Sequence, residues 1–442
     1  MNPRLLTLLA CIILAACAQQ PVKPTASEAP SPKSETQPQS RVVVAKPARR
    51  QPQLPPQELT EQVMFKIMLA EVAVQRGQMH VAVPAYLDLA RETRDPRVAQ
   101  RATEVAWNAR FVDSAIEAAG LWLQADPESQ QARQVVAALL VNQAQLAGAL
   151  PHLEKWLKAD EANVGQSFLH ITSLLARHKD KKAVLELMQG LAQSYREVPE
   201  ARFAVAQAAW NAQDTELALT EARAALDLRP DWELAALFQV QVLQRRSGAE
   251  ALAYLAGYLE QHPQAKDARL HYARILVSDK KFPEARKQFE VLLAEHPNNA
   301  EVTMAVALLA MQANDYDAAE AQLRRALENN YKDPDAVRLY LGQVNEERKR
   351  FEEALKWYGS VGAGEQYINA QARYAGVLSK QGRLADARKH LHQISPQNNQ
   401  QHVQLTQAEA QLLREAMAYQ EAFDVLGRAL DKLPDYPELL YD

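Results

Sequence analysis

The sequence predicts an all-α protein built as a solenoid of helix pairs, and three observations support this prediction. Glycine, which β-rich folds need in their tight turns, accounts for 14 of 442 residues, well below the typical share of ~7%. Alanine, leucine, glutamine, glutamate and arginine, all of which favour helices, dominate the composition. An alanine also recurs every 33 to 35 residues from Ala82 to Ala422. Such a period is typical of a repeat array rather than of one globular core.

The first 17 residues resemble a bacterial lipoprotein signal sequence. Arg4 precedes an apolar run from Leu5 to Leu14, which is too short to span a bilayer. The tetrapeptide Leu14-Ala15-Ala16-Cys17 is similar to a lipobox. The resemblance implies that residues 1–16 are removed and that Cys17 carries acyl chains such as palmitate. It also implies an anchor on the periplasmic face of the outer membrane of a Gram-negative bacterium. The alternative is an ordinary secretory signal with a chance cysteine.

Residues 17–56 form a proline-rich segment between the signal and the repeats. With nine prolines and almost no large apolar side chains beyond residues 42–44, this segment cannot bury enough surface to fold, so a disordered tether is predicted. It carries six Lys or Arg and two Glu, whereas residues 57–442 carry 43 basic and 52 acidic side chains. A basic tether thus precedes an acidic body. The tether either favours an anionic lipid or cell-wall polymer, or is a solvated spacer.

Residues 57–442 repeat with a mean period of 34 residues. A small residue stands near the start of each expected second helix, at Ala82, Ala115, Ala149, Ala183, Ala218, Ala251, Ala285, Ala319, Ala354, Ala387 and Ala422. Four residues later there is usually a larger side chain, at Tyr86, Leu153, Leu187, Leu255, Phe289, Leu323, Tyr358, Leu391 and Leu426. A small side chain lets two helices approach closely, and the larger one fills the space beside it. Eleven helix pairs are therefore predicted.

This pattern resembles the tetratricopeptide repeat (TPR), in which two antiparallel helices of about 13 residues form each repeat. Small residues such as Ala206, Ala273 and the pair Leu341-Gly342 match the family's first helices. The resemblance implies a right-handed superhelical solenoid with a concave wall lined by first helices. The alternative is a different repeat made of helix pairs. After Pro434, residues 435–442 resemble the opening of a twelfth repeat, so the chain is expected to be truncated relative to its family.

The same resemblance assigns a partner-binding groove to first-helix residues, aromatic in the first half and methionine-rich near the middle. The predicted groove residues are Trp107, Phe168, Phe203, Trp210, Val240, Leu243, Met304, Leu308, Met311 and Gln343. An exposed apolar strip on a solenoid usually marks an interaction surface, and methionine suits adaptable contacts. The alternative is that the winding of the array buries some of these side chains against neighbouring repeats.

The residues offer no constellation for catalysis, metal binding or a cofactor. The ten histidines form no His-Glu-x-x-His motif, and His390 and His392 stand on different helix faces. The glycine cluster Gly359 to Gly364 lacks the Lys-Ser/Thr of a phosphate loop and is interpreted as a turn. Both cysteines lie in the first 17 residues, so the rest of the chain has no thiol. The nearly balanced numbers of basic and acidic side chains do not indicate a nucleic-acid-binding surface. We therefore expect a binding protein and not an enzyme.

The first two repeats resemble a narrower group of proteins. Leu69-Ala-Glu-Val-Ala73 and the run from Thr93 to Ala102 are similar to long TPR lipoproteins that bind and activate a periplasmic carboxyl-terminal processing protease. The resemblance implies an adaptor that recruits this protease and presents cell-wall hydrolases to it. Two alternatives stay open. One is a scaffold for exopolysaccharide export or envelope assembly, and the other is an enzyme with a cryptic site.

Overall fold

The computed structural model describes residues 54–56, 58–433, 436 and 439. The predicted signal peptide, the lipidated Cys17 and nearly all of the tether lie outside the described residues, as does most of the expected opening of a twelfth repeat. Regular structure in the described part consists of 22 α-helices and one short 3-10 helix, Glu161–Asn163, with no strand. None of the described helices is long and apolar enough to cross a membrane.

The helices alternate between first and second members of eleven antiparallel pairs, which confirms the predicted all-α array. The first helices are α1 (Glu61–Gln75), α3 (Pro96–Asn108), α5 (Gln130–Asn142), α7 (Val164–Leu175), α9 (Pro199–Asn211), α11 (Glu233–Arg246), α13 (Lys266–Ser278), α15 (Ala300–Gln312), α17 (Pro334–Glu347), α19 (Tyr367–Lys380) and α21 (Asn399–Glu415). The second helices are α2 (Met79–Thr93), α4 (Val112–Ala125), α6 (Leu146–Ala159), α8 (Lys181–Ala192), α10 (Thr215–Leu228), α12 (Gly248–Gln261), α14 (Phe282–Glu295), α16 (Tyr316–Glu328), α18 (Phe351–Gly359), α20 (Leu384–His392) and α22 (Tyr419–Lys432). The helices fall into two compact units, one ending at Tyr254 and one starting at Leu255.

The periodic alanines lie where the two helices of a pair pack together. Ten of the eleven are buried, nearly all of them completely. The fourth repeat is the exception, because Ala183 and Leu187 are half-buried while Val184 and Met188 are buried. The register predicted for this repeat is therefore wrong by one residue. The cause is its longer connection, in which residues 176–180 join α7 to α8 where most of the other repeats use three residues.

The turn inside most repeats places one residue in the left-handed region, usually without a glycine. These residues, with φ between 58° and 79°, are Gly77, Arg110, Ala144, Gln213, Lys280, Asn314, Lys349, Gly382 and Met417. In the third repeat the Ala144 N–H donates to the Val141 carbonyl at 3.0 Å, and the Gln145 N–H donates to the Leu140 carbonyl at 2.9 Å. These two bonds satisfy carbonyls that the end of α5 leaves free. The turn therefore needs the backbone conformation and not the glycine itself.

Replacing Ala144 by glycine is expected to stabilise the protein by ~1 kcal/mol, because a Cβ raises the energy of left-handed backbone and glycine carries none. Ala144 is exposed, so the change removes no packing. Urea unfolding followed by circular dichroism measures the effect. Ala138→Gly, within α5, is the matched control and should cost ~1 kcal/mol. A lower stability for Ala144→Gly would contradict the prediction.

Arginines join successive repeats in a way that the sequence did not predict. The fourth residue of α5, α9 and α13 is an arginine whose guanidinium donates to a carbonyl just beyond the preceding second helix. The three pairs are Arg133 Nη2 to Pro127 O at 2.5 Å, Arg202 Nε to Arg196 O at 3.0 Å, and Arg269 Nη2 to Pro263 O at 2.6 Å. A cation here satisfies a carbonyl of the connection just past a helix and also complements the dipole of that helix.

Candidate partner-binding surface

Most of the predicted groove residues belong to the core. Seven of the ten are buried, namely Phe168, Phe203, Val240, Leu243, Met304, Leu308 and Met311. The interpretation that these side chains line an open groove is therefore wrong. Helices pack on both sides of a first helix inside the array, so its apolar positions are used for that packing. In α15 every residue from Val302 to Met311 is buried.

Three predicted residues keep solvent access. Trp107, near the end of α3, is 44% exposed. Phe111, which was not among the predicted residues and directly precedes the next helix, is 40% exposed. Trp210 and Gln343 are half-buried. Because Trp107 and Trp210 stand at the carboxyl-terminal ends of their first helices, they offer aromatic surface where the helix packing ends.

Aromatic packing fixes Trp210 in the fifth and sixth repeats. The buried Phe203 ring meets Phe238 edge-on at 5.3 Å between centroids and lies 4.8 Å from the Trp232 ring. Phe238 in turn meets Trp210 edge-on at 6.4 Å. Edge-to-face pairs of this kind are favourable and restrict the rings. Trp210 is therefore held at the outer margin of a rigid aromatic cluster.

Two arginines stack on this cluster, and their charges are used differently. The Arg229 guanidinium lies 4.8 Å from the Trp232 centroid and also pairs with Glu200 at 2.6 Å. The Arg245 guanidinium lies 5.3 Å from the Trp210 centroid, and no carboxylate of the described residues lies within ion-pair distance of it. Arg245 is exposed. The margin of the cluster therefore presents an aromatic face next to a positive charge.

A second exposed apolar surface lies on α1, where the predicted groove had no residue. Its side chains, between 41% and 66% exposed, are Met64, Phe65, Met68, Leu69 and Val72. No helix of the described residues precedes α1, so the face that would pack on a preceding repeat is open. The sequence did carry a signal for this surface, because α1 is apolar on nearly all sides.

A crevice of about 390 Å³ lies beside α1, between it and the next two helices. Its wall is largely apolar, and Val63, Ile67, Leu89 and Arg101 are among the lining residues. Arg101 Nε donates to Glu71 at 3.3 Å, and the Tyr86 hydroxyl also donates to Glu71. This hydrogen bond from Tyr86 lowers the pKa of Glu71. Burial, together with Glu71, raises the pKa of Tyr86 to about 12. The crevice can accept an apolar side chain.

His390 and His392, considered above as a possible metal-binding pair, each contact a side chain of a neighbouring helix. His390 stacks on Tyr374 at 4.3 Å, with its Nε2 2.8 Å from Gln371 Oε1. His392 Nε2 lies 2.8 Å from Glu409 Oε2. Burial lowers the pKa of His390. Gly359 ends α18, and Gly362 and Gly364 lie in the connection from α18 to α19, in agreement with the turn interpretation. Within the part of the chain that the structure describes, no group of three or more His, Cys, Asp or Glu side chains is placed to hold a metal ion.

Known proteins resemble this chain as follows. Two family models described as Tetratricopeptide repeat match residues 243–309 and 305–367. The TPR repeat-containing protein PA4667 of Pseudomonas aeruginosa is 27% identical over 390 residues, which are 86% of this chain and 64% of that protein. The chain thus spans less than two thirds of this relative.

Among solved structures, Pseudomonas aeruginosa pilF matches with a TM-score of 0.33 and 17% identity over 48% of this chain and 97% of that one. Yeast Tom70 matches with a TM-score of 0.29 and 13% identity over 84% and 92% of the two chains. Residues 243–367 thus match the tetratricopeptide repeat, a scaffold typical of protein–protein interaction.

Proposed function

We propose that this chain is a membrane-tethered periplasmic adaptor that binds partner proteins on the exposed surface of its first helices. The observation that carries the proposal is the aromatic surface of Trp107 and Trp210, which the packing of the array leaves open. Aromatic side chains at such positions supply much of the energy of protein–protein interfaces. The lipid on Cys17 and the outer-membrane location belong to this proposal through the lipobox resemblance.

The proposed partner is a periplasmic carboxyl-terminal processing protease, which the adaptor recruits and activates to degrade cell-wall hydrolases. The motif from Leu69 to Ala73 and the run from Thr93 to Ala102 support this proposal by their resemblance to adaptors of that kind. The first motif lies in α1, and the second leads into α3. Holding enzyme and substrate on one tethered scaffold raises their effective concentration to about millimolar. The scaffold itself then needs no catalytic group.

Replacing Trp107 and Trp210 together by alanine is expected to weaken capture of the partner at least tenfold, because interface tryptophans are often hot spots worth ~2 kcal/mol. Affinity purification from envelope extract, followed by mass spectrometry and by a binding titration with the purified protease, measures the effect. Circular dichroism should show unchanged helicity, since Trp107 is exposed and Trp210 is half-buried.

The matched control is the double variant Leu228→Ala with Val291→Ala. Both residues are exposed large apolar side chains on second helices, at 38% and 40%. This control should capture the partner as the unaltered chain does. Equal protease co-purification by the tryptophan variant and the control would contradict docking on the first helices. Absence of any protease among the proteins captured by the unaltered chain would contradict the proposed partner.

A further inference from the structure

The long connection of the fourth repeat carries a cluster of positive charge. Residues 177–182, which join α7 to α8 and begin α8, include four Lys or Arg side chains and a single carboxylate. Arg177, Lys179 and Lys182 are exposed, and they make no ion pair with a carboxylate of the described residues. We call these three residues the basic turn.

Another turn with several cations shows that charge in a turn is not always left free. In the ninth repeat, residues 348–350 are all basic. Arg348 there pairs with Asp317 and, at 2.9 Å, with Glu320, and Arg350 lies 3.4 Å from Glu320. The arginines of that turn therefore join repeats together. The cations of the basic turn have no such use within the described residues.

Hydrogen bonds hold the backbone of the basic turn in one conformation. The Asp180 N–H donates to His178 Nδ1 at 3.2 Å, and Asp180 Oδ1 accepts the Ala183 N–H at 3.0 Å, which caps α8. Lys181 Nζ donates to the Ala176 carbonyl at 2.7 Å. The one carboxylate and the fourth cation are thus used inside the turn. The other three cations are presented to solvent on an ordered backbone, which lowers the entropy cost of binding a ligand.

Few carboxylates neighbour the basic turn within its compact unit. α7 contains no Asp, Glu, Lys or Arg, and the turn of the third repeat, residues 143–145, is uncharged. The turn of the fifth repeat holds Asp214, whose carboxylate accepts the Leu217 N–H at 3.0 Å as the cap of α10. Glu186 follows one helical turn after Lys182 in α8 and makes no ion pair with it. The basic turn therefore keeps most of its positive charge.

The basic turn suits an extended anionic surface better than a small soluble anion. Sites for a single phosphate usually surround it with backbone N–H groups at the start of a helix. Here the Asp180 carboxylate already accepts an N–H at the start of α8 and would repel a phosphate placed there. Three exposed cations can instead each approach a different phosphate of a bilayer, and each adds to the attraction.

The charge of the whole folded body makes a local basic site decisive. Residues 57–442 carry 43 basic and 52 acidic side chains, so most of this body is repelled by an anionic bilayer. A tether anchored at Cys17 would hold the body near the bilayer at an effective concentration of about millimolar. Weak attraction at one turn is then enough to decide which side of the array faces the lipid.

We propose that the basic turn docks on the anionic phospholipid headgroups of the membrane that holds the anchor. Arg177, Lys179 and Lys182 contact lipid phosphates, while Asp180 and Lys181 keep the shape of the turn. Docking orients the fourth repeat toward the bilayer. The inference rests on the proposed membrane tether, and it goes further by naming a second, electrostatic contact with the membrane and the residues that make it.

Quenching of a fluorophore beside the basic turn tests the proposal. In the acylated chain, from which residues 1–16 are removed, Ala176→Cys introduces the only free thiol, at an exposed position. The labelled chain is inserted into vesicles that carry a quencher on some lipid headgroups. These vesicles contain either phosphatidylcholine alone or phosphatidylcholine mixed with phosphatidylglycerol. Quenching should be about threefold stronger with phosphatidylglycerol, and added salt should weaken it because exposed charges are screened.

Two triple variants identify the side chains responsible. The first replaces the three cations of the basic turn by glutamine and should remove the difference between the two kinds of vesicle. The matched control removes the same charge from exposed positions in the second halves of α6 and α10, by Lys155→Gln, Lys158→Gln and Arg223→Gln. The control should be quenched as strongly as the unaltered chain.

Equal quenching in the two kinds of vesicle, or a basic-turn variant quenched as strongly as the unaltered chain, would overturn the inference. Loss of quenching in sodium phosphate, but not in sodium chloride of the same ionic strength, would assign the turn to free phosphate. Displacement by polyglutamate, at a carboxylate concentration equal to that of phosphatidylglycerol, would assign it to an acidic protein segment. Either result would overturn docking on lipid.

The same experiment separates this inference from the proposed tether. A chain that inserts into the vesicles but shows no dependence on phosphatidylglycerol keeps its anchor and lacks the docking contact. A chain that stays out of both kinds of vesicle contradicts the lipid anchor. Sedimentation of that chain with phosphatidylglycerol vesicles then tests the basic turn alone: binding that the glutamine variant loses supports the inference, and absence of binding overturns it.

Discussion

Replacing Gly342 by alanine is expected to lower the free energy of unfolding by ~3 kcal/mol, the range in which overpacked cores are found. Gly342 is buried in α17 under the ring of Tyr358, and a Cβ built there would overlap Cδ1 and Cε1 of that ring. Tyr358 is completely buried, and its hydroxyl donates to Glu346 Oε2 at 2.6 Å. The ring is therefore held at both ends and cannot move aside without breaking that bond.

Gly376→Ala provides a matched control in the neighbouring first helix α19. A Cβ at Gly376 would meet no heavy atom within 4 Å, so the change should stabilise the protein by ~1 kcal/mol through helix propensity. Urea unfolding followed by circular dichroism compares the two variants with the unaltered chain. Equal stability of Gly342→Ala and the unaltered chain would mean that the α17–α18 contact is looser than the structure has it.

The alanine period predicted the helix pairs because it records close approach within a repeat, which is a local property of the sequence. The alanine period does not indicate how deeply each side chain along a helix is buried. Phe203 and Trp210 lie seven residues apart on one face of α9. Phe203 is nevertheless buried against Phe238 and Trp232, whereas Trp210 is only half-buried. The difference is that Trp210 lies in the last turn of its helix, which ends at Asn211.

Features that join distant parts of the sequence could not be predicted from spacing alone. Arg245 lies on Trp210, although 35 residues separate them, and only the packing of α9 against the next repeat brings them together. The open face of α1, by contrast, had a local signal, because that helix is apolar on nearly all sides. The shift at Val184 follows from the length of a turn rather than from the alanine pattern.

Glu346 joins three helices of the ninth and tenth repeats, and its loss is expected to have the second large effect on stability. It stands one turn after Gly342 on α17, so the two residues contact the same tyrosine, one at the ring and one at the hydroxyl. Lys380 Nζ on α19 lies 2.7 Å from Glu346 Oε1, and Arg373 Nη1 lies 3.6 Å from Oε2. Burial, together with the Glu346 carboxylate, raises the pKa of Tyr358.

Glu346→Ala should lower the free energy of unfolding by ~3 kcal/mol, because it leaves the buried Tyr358 hydroxyl without an acceptor and removes the partner of two cations. Tyr358→Phe should cost only ~1 kcal/mol, since Glu346 then keeps Lys380 and Arg373. In the double variant no hydroxyl is left unsatisfied, so its cost should fall ~1 kcal/mol short of the sum of the single costs. Urea unfolding of all three variants closes the cycle. If the costs of the two single variants simply add, Tyr358 is held only by the packing of its ring against Gly342. If the double variant costs less than that sum, the Glu346 carboxylate contributes to the stability of the contact between α17, α18 and α19.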